Sequence, residues 1–379
     1  MDPNKTSRIV RSLAVVLTGA VAFALVAAPA QAQAVATPPL NVVSSAATEL
    51  RAAQVPGDYW TAAKMAAAKS ADEPNPAALK SASVGTVSAA AGTVSAAGTV
   101  STAGTASTAA APSVAKSVSV NPTAGTTAVP ASPATMTAGS LARPYTNLRD
   151  RLNGKVFFTD GSKNFVCSGT IVNSLNKDMV DTAGHCVSNG AGRFFTNWIF
   201  VPGYSSSATG CTTTAGCFPY GKWSARQLTT TTEWHSFANL KQDLGYAVLN
   251  TLGGKHIANL LGGQGSQFNM ARKQTWNGFG YPQAAPFSGF DQRLCISGRL
   301  ADDNPSTRPG PLAVRISCNM TAGSSGGGWL ISVSRTGLGF VNSHNSYRYT
   351  SGSLANANVM YGPYYGSEAL ALFNSAQVL

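Results

Sequence analysis

The sequence predicts an all-β domain over residues 143–379, either a barrel or a sandwich, that ends in a single helix. Three observations predict this class. Short runs rich in β-branched and aromatic residues alternate with Gly, Ser and Asn turns, and only Ser367–Ala376 has the apolar spacing of an amphipathic helix. The region is also long enough to bury a substantial core. The predicted strands include Lys155–Phe158, Phe165–Val172, Trp198–Val201, Tyr246–Leu249, Leu312–Ile316 and Gly339–Val341.

Residues 1–34 have the pattern of a secretory signal peptide. Basic residues precede an apolar run from Leu13 to Ala28, and alternating small residues up to position 34 offer cleavage sites. A membrane anchor would need about 20 apolar residues, whereas this run is shorter and ends at Pro29. We therefore expect a secreted, extracellular protein that has no integral membrane anchor after signal removal.

Residues 35–142 are rich in Ala, Ser, Thr and Gly and poor in the large apolar residues that a core needs. A Gly-Thr motif recurs through residues 85–104, and Lys116 is the single charged residue of 81–140. Burial of so little apolar surface cannot offset the entropy lost on ordering the chain. The sequence predicts a largely disordered propeptide or linker here, and an adhesive role for the segment stays open.

Three short motifs carry the candidate chemistry. Ser325 lies in the turn Gly-Ser-Ser-Gly-Gly at 323–327, His185 follows Thr-Ala-Gly, and Asp243 opens an alternating, strand-like run. A serine hydroxyl is a weak nucleophile until an imidazole takes its proton, and the imidazolium needs an oriented carboxylate behind it. The chain offers all three groups, in the order His, Asp, Ser.

A second class of serine hydrolase fits the same turn. Gly-x-Ser-x-Gly at 323–327 also matches the nucleophile elbow of α/β-hydrolases, which place the acid and then the histidine after the serine. After Ser325 the chain contains no aspartate, and Glu368 and His344 are its only carboxylate and histidine. These come in the wrong order, so the sequence argues against that class.

With these motifs, the chain resembles the trypsin/chymotrypsin-type serine peptidases, in particular their secreted bacterial branch. The resemblance implies two six-stranded antiparallel β-barrels, with His185 and Asp243 in the first and Ser325 in the second. It assigns Ser325 as nucleophile, His185 as general base and Asp243 as the group that orients the imidazole. The backbone N–H groups of Gly323 and Ser325 would form the oxyanion hole.

The resemblance also implies a function and its partners. We expect a serine endopeptidase that hydrolyses peptide bonds through an acyl-enzyme, acting as a monomer on protein or peptide substrates. The alternative is a catalytically silent, peptidase-like binding domain on a low-complexity cell-surface linker. The net charge of +12 is dispersed along the chain without a nucleic-acid-binding motif, so we expect no nucleic-acid partner.

Two positions depart from the trypsin pattern. Ser324 stands where trypsins have the aspartate that pairs with the new N-terminus, so we expect no maturation through that ion pair. Asn319 stands where enzymes selective for lysine and arginine have an aspartate, which argues against that selectivity. The resemblance places the substrate pocket at Asn319, Thr321, Ser343 and His344, and the histidine suggests a preference for glutamate.

All six cysteines lie inside the predicted domain, at positions 167, 186, 211, 217, 295 and 318. An even count in a secreted chain indicates disulfides, although the count leaves the pairing open. The resemblance favours Cys167–Cys186, and the neighbouring choices are Cys211–Cys217 and Cys295–Cys318. No Cys-x-x-Cys pair occurs and the histidines are scattered, so we expect no metal site and no cofactor.

Overall fold

β-Strands form most of the regular structure in the computed structural model, which describes residues 41–45, 59–71, 115–127, 139–141, 145–206 and 217–379. These residues belong to one unit, Pro38–Leu379. The predicted signal peptide, residues 1–34, lies outside the described residues.

In chain order the strands are β1 (Val42–Ser44), β2 (Lys69–Ser70), β3 (Val118–Val120), β4 (Gly139–Ser140), β5 (Asn153–Asp160), β6 (Lys163–Val172), β7 (Met179–Thr182), β8 (Thr196–Pro202), β9 (Trp223–Thr231), β10 (Gly245–Leu249), β11 (Gly265–Phe268), β12 (Thr275–Gly280), β13 (Arg293–Asp303), β14 (Ala313–Ser317), β15 (Gly328–Ile331), β16 (Phe340–His344) and β17 (Val359–Gly362). The helices are α1 (Ala62–Ala67), α2 (Leu148–Arg151), α3 (Thr232–Phe237), α4 (Ile257–Leu261) and α5 (Ser367–Ala376), with short 3₁₀ helices at Gly184–Cys186 and Leu240–Gln242. Among the helices of the described ranges, none has the length and apolar character needed to span a membrane.

Six strands close into an antiparallel barrel. They pair in the order β9-β10-β7-β6-β5-β8, and a further pairing between β8 and β9 completes the ring. The alternation of side chains along β5 shows how the sequence builds it. Val156 and Phe158 pack in the barrel core with Trp198, whereas Phe157 between them packs against Trp60, with ring centroids 5.4 Å apart.

A second sheet follows, in the order β17-β14-β13-β12-β15-β16-β11-β3, with β4 paired to β13. Its pairs are antiparallel except for β11 and β16, which run parallel. Trp276 and Trp329 pack in its core with ring centroids 5.9 Å apart. Helix α5 places Phe373 against Phe268 of this sheet and Tyr246 of the barrel, so it packs against both.

This architecture confirms the predicted fold class. The protein is all-β, with a closed six-stranded barrel, a second sheet and a C-terminal helix in a chymotrypsin-like arrangement. Each of the six predicted strands overlaps an observed strand, and the predicted helix coincides with α5. The alternating, β-branched and aromatic pattern therefore located these elements correctly.

Short segments from the region before residue 143 add strands to both sheets. β1 pairs with β9, β2 with β6, β3 with β11 and β4 with β13. Trp60 is buried and its Nε1 donates to the carbonyl of Asn197 at 2.6 Å. The sequence reasoning did not anticipate these contacts. The rest of 35–142 lies outside the described residues, where disorder stays a prediction.

Two disulfides stabilise the described part of the domain. Cys167–Cys186 joins β6 to the 3₁₀ helix after β7, and Cys295–Cys318 joins β13 to the residue after β14. The resemblance favoured Cys167–Cys186, and Cys295–Cys318 was one of the neighbouring choices; both are confirmed. Cys211 lies outside the described residues, so its pairing with Cys217 stays a prediction.

Candidate active site

His185 lies on the 3₁₀ helix Gly184–Cys186, directly after β7 of the barrel. The disulfide of Cys186 ties this helix to β6. A Cβ atom on Gly184 would lie 2.6 Å from the ring of Trp234 and 2.9 Å from Asp243 Oδ1. Glycine is therefore required for the backbone here to approach both groups, and His185 is held next to Asp243.

Asp243 follows the 3₁₀ helix Leu240–Gln242 and is completely buried. Its Oδ1 accepts the backbone N–H of His185 at 2.8 Å, and its Oδ2 accepts from His185 Nδ1 at 2.7 Å and Ser346 Oγ at 2.5 Å. Burial raises the pKa of this carboxyl, but the charge and hydrogen bond of His185, the charge of His344 and the bond from Ser346 together hold it below its ordinary value. Asp243 is thus an oriented carboxylate.

The contact with Asp243 fixes the proton on His185. A carboxylate only accepts, so Nδ1 carries the proton and Nε2 of the neutral ring has the lone pair. Nε2 is buried and has no hydrogen-bond partner among the described residues. The ring of Trp234 packs edge-on against the imidazole, with centroids 5.9 Å apart. Nε2 is therefore available to take a proton from a nucleophile.

Ser325 lies in the turn between β14 and β15. Gly323 and Gly326 flank it with φ of +100° and +78°, a backbone conformation that residues with a Cβ rarely adopt. The carbonyl of Ser325 accepts the N–H of Ser168 at 2.7 Å, and the N–H of Gly326 donates to the carbonyl of Asn345 at 2.8 Å. The turn is thereby tied to the barrel through β6 and to the second sheet after β16.

Two backbone N–H groups at this turn are left for a ligand. The N–H groups of Ser324, Gly326 and Gly327 donate to backbone carbonyls, whereas those of Gly323 and Ser325 donate to no other group in the described part of the chain. Backbone donors that lack an internal partner beside a nucleophile are the components of an oxyanion hole.

The serine turn and the histidine helix are neighbours. The sulfur of Cys186 lies 3.6 Å from the carbonyl oxygen of Ser325. The structure thus brings His185 and Asp243 into direct contact and sets the turn of Ser325 beside them, although the three residues are far apart in sequence. It also adds Ser346, which the sequence reasoning missed.

Ser343 and His344, which were predicted to line the substrate pocket, are both buried in the structure. Ser343 Oγ donates to the carbonyl of Pro363 at 2.8 Å, and His344 is completely buried behind Asp243 with both ring nitrogens hydrogen-bonded. From the same segment, Ser346 Oγ donates to the carboxylate of Asp243, and His344 Nε2 donates to its carbonyl. Sequence spacing offered no signal for Ser346, because its contact with Asp243 spans 103 residues.

Asn319 and Thr321 lie on the approach from β14 to the serine turn. Asn319 is exposed, whereas Thr321 is buried and its Oγ1 donates to the carbonyl of Ala284 at 2.6 Å. Neither side chain carries a charge, and both remain predicted pocket residues.

In the described part of the chain, one group of potential metal ligands lies at the site, and it does not fit a metal. Ligand atoms of Cys167, His185 and Cys186 lie within 4.8 Å of one another. The two sulfurs are joined in a disulfide, so they cannot act as thiolate ligands, and His185 Nδ1 is occupied by Asp243.

The solved structures that are similar to this chain include two proteases. Protease Anisep from Arthrobacter nicotinovorans is 40% identical, and the match covers 64% of this chain and 100% of that one with a TM-score of 0.54. The thermostable serine protease AL20 from an extremophilic microorganism is 37% identical, with 61% and 99% covered and a TM-score of 0.52. No protein-family model and no curated protein matches the chain. Since the first relative is matched over its full length at this identity, the chain belongs to the trypsin-like serine protease family.

Proposed function

We propose that the protein is a secreted serine endopeptidase that hydrolyses peptide bonds through Ser325, His185 and Asp243. The observation that carries this proposal is the buried hydrogen bond between Asp243 and His185 Nδ1, which leaves Nε2 unpartnered next to the turn of Ser325. An isolated serine in a glycine-rich turn would have little reactivity, whereas a serine beside an oriented imidazole is activated.

Acylation follows from this geometry. His185 Nε2 takes the proton of Ser325 Oγ as the oxygen attacks the carbonyl carbon of the scissile peptide. The resulting oxyanion accepts hydrogen bonds from the backbone N–H groups of Gly323 and Ser325, an interaction of about 3–4 kcal/mol in comparable sites. Asp243 stabilises the imidazolium, which then gives its Nε2 proton to the leaving amine.

Deacylation reverses the roles. A water molecule gives a proton to His185 Nε2 and attacks the ester carbonyl, and the same two N–H groups hold the second oxyanion. Collapse of this intermediate returns the proton to Ser325 Oγ and releases the new carboxyl terminus. Asp243 is ionised throughout, in keeping with its lowered pKa.

Secretion is supported by the two disulfides and by the signal-peptide pattern of residues 1–34. The silent binding domain, the alternative function, would not need an ionised carboxylate buried behind an imidazole. Burial of such a charge is costly unless it is paired, and an inactive domain gains nothing from it.

Peptide hydrolysis by the full secreted chain tests the proposal. Wild type should cleave a mixed peptide library, and Ser325→Ala should reduce cleavage to background with unchanged thermal unfolding. Ser324→Ala is the matched control. The hydroxyl of Ser324, next to Ser325 in sequence, is buried without a partner among the described residues, so its removal should not lower peptide cleavage. Equal cleavage by wild type and Ser325→Ala would refute the proposal.

A further inference from the structure

A second cluster of ionisable groups lies directly behind Asp243. Asp181 of β7, Tyr246 of β10, His344 of β16 and Tyr365 are all buried, and His344 and Tyr365 are completely inaccessible to solvent. The mechanism above uses none of them. Burial of an acid and a base between the two sheets is costly unless they are paired and hydrogen-bonded. The groups of this cluster must therefore satisfy one another.

The hydrogen bonds determine where the protons lie. His344 Nε2 is 2.8 Å from the carbonyl oxygen of Asp243, which only accepts, so Nε2 carries a proton. On the other side of the ring, Nδ1 is 2.8 Å from Tyr365 Oη and 3.3 Å from Asp181 Oδ1, and Tyr365 Oη is 2.5 Å from Asp181 Oδ2. Besides the proton of the phenol, one further proton must lie on Nδ1 or on the carboxyl group to fill these contacts.

Two arrangements satisfy this count, and both are neutral overall. In the first, His344 is an imidazolium that donates from Nδ1, and Tyr365 donates to the Asp181 carboxylate. In the second, protonated Asp181 donates to Tyr365, which donates to Nδ1 of a neutral imidazole. In both, Nε2 keeps its proton and donates a hydrogen bond to the carbonyl oxygen of Asp243. A neutral His344 beside ionised Asp181 would leave one contact without a proton and one buried charge unpaired.

The pKa directions of Asp181 and His344 both favour retention of this proton. Burial raises the pKa of Asp181, although bonds from His344, Tyr365 and Tyr246 act against it. Burial lowers the pKa of His344, but the hydrogen bond and charge of Asp181, with the charge and carbonyl of Asp243, outweigh it and raise that pKa. Burial and the charge of Asp181 raise the pKa of both tyrosines well above the ordinary value, so they stay protonated.

We propose that His344, supported by Asp181 and Tyr365, is a positioning residue that holds the main chain of Asp243 and thereby aligns the triad carboxylate. His344 and Ser346 are two residues apart and both donate hydrogen bonds to Asp243. His344 donates to its carbonyl and Ser346 to its carboxylate. Asp181 and Tyr365 favour the tautomer in which Nε2 faces Asp243 as a donor. This inference rests on the proposed function, because it concerns the alignment of that triad.

Three variants separate positioning from simple core stability. His344→Leu removes the donor to Asp243. His344→Gln keeps an amide N–H that can reach the same carbonyl. A fourfold apolar variant (His344→Leu, Asp181→Leu, Tyr246→Phe and Tyr365→Phe) removes every polar group of the cluster, and replacement of a buried ion pair by apolar residues is often neutral or stabilising. This variant is therefore expected to fold even if His344→Leu alone does not.

The readout is kcat per active site, normalised by fluorophosphonate titration, together with KM and thermal unfolding. Misplaced catalytic groups cost up to about 100-fold, so the fourfold variant should lose about 10- to 100-fold in kcat with little change in KM. His344→Gln should recover most of the activity. The imidazole N–H resonance of His185 in the proton NMR spectrum should shift in the fourfold variant and return toward its wild-type position in His344→Gln.

Wild-type kcat per labelled site in the folded fourfold variant would overturn the inference, as would a His344→Gln variant no faster than His344→Leu. Failure of the proposed function looks different. There, wild type itself would cleave no faster than Ser325→Ala, and the His344 variants would have no rate to lose.

Discussion

Ser346→Ala isolates one hydrogen bond to the triad carboxylate. Ser346 Oγ donates to the buried Oδ2 of Asp243 at 2.5 Å, and a hydrogen bond to a charged group contributes about 1.5–3 kcal/mol. We expect the free energy of unfolding to fall by about that amount at neutral pH, because Asp243 is then an under-satisfied buried anion. The pKa of Asp243 should rise toward its ordinary value of 3.8.

Ser343→Ala is the matched control on the same segment. Ser343 is equally buried but donates to the neutral carbonyl of Pro363 at 2.8 Å, and such a bond contributes about 0.5–1.5 kcal/mol. Its removal should cost the same at every pH. Comparison of the two serine variants therefore isolates the charge of Asp243.

The pH dependence has a definite sign. The folded-state pKa of Asp243 lies below 3.8, so its contribution to stability is fully present above that value and is lost as the pH falls through the folded-state pKa. The cost of Ser346→Ala should therefore shrink in acid. Urea unfolding at neutral and acidic pH measures both variants. Equal, pH-independent costs for Ser346→Ala and Ser343→Ala would refute the reasoning.

Three further predictions use other parts of the molecule. Asp243→Asn should lower kcat/KM by about 10⁴-fold, because the amide favours the wrong tautomer of His185. The control Asp302→Asn, at the surface, should leave peptide cleavage unchanged. Retained activity in Asp243→Asn would contradict the triad. Trp60→Ala should lower the free energy of unfolding by about 3–5 kcal/mol, because it leaves a cavity on the outer face of β5. An unchanged denaturation midpoint would show that the segment 59–71 does not stabilise the domain. Burial lowers the pKa of Lys155 from 10.5 to about 7, so between these pH values only the unfolded chain binds the proton, and the free energy of unfolding should rise with pH. Lys155→Met should flatten this rise in denaturation measurements at neutral and alkaline pH. An unaltered slope would refute the pKa shift.

The features that could be predicted from the sequence are those visible within a few neighbouring residues. Ser325 is recognisable from its glycine-framed turn and His185 from its short motif, and Asp243 was chosen because it opens a strand-like run. The resemblance then supplied their roles. The strands of the barrel were found because alternation along a single strand, such as Val156 and Phe158 against Phe157, is visible in a few residues.

The parts that were missed depend on contacts between distant segments. Asp181 and His344 are 163 residues apart, and neither position carries a local sign of the other. Ser346, which follows β16, donates to Asp243 across 103 residues, and the sequence alone does not connect the two positions. The strands before residue 143 are only two or three residues long, too short for periodicity to detect.

The most direct test of the account is the site of reaction with a fluorophosphonate, which modifies an activated serine. The full secreted chain should form one adduct, located at Ser325 by mass spectrometry of its peptides. The adduct should be absent in Ser325→Ala, unchanged in Ser324→Ala and formed far more slowly in Asp243→Asn. A folded wild-type protein that stays unlabelled, or that is labelled at another serine, would contradict the assignment of Ser325, His185 and Asp243 as the catalytic triad.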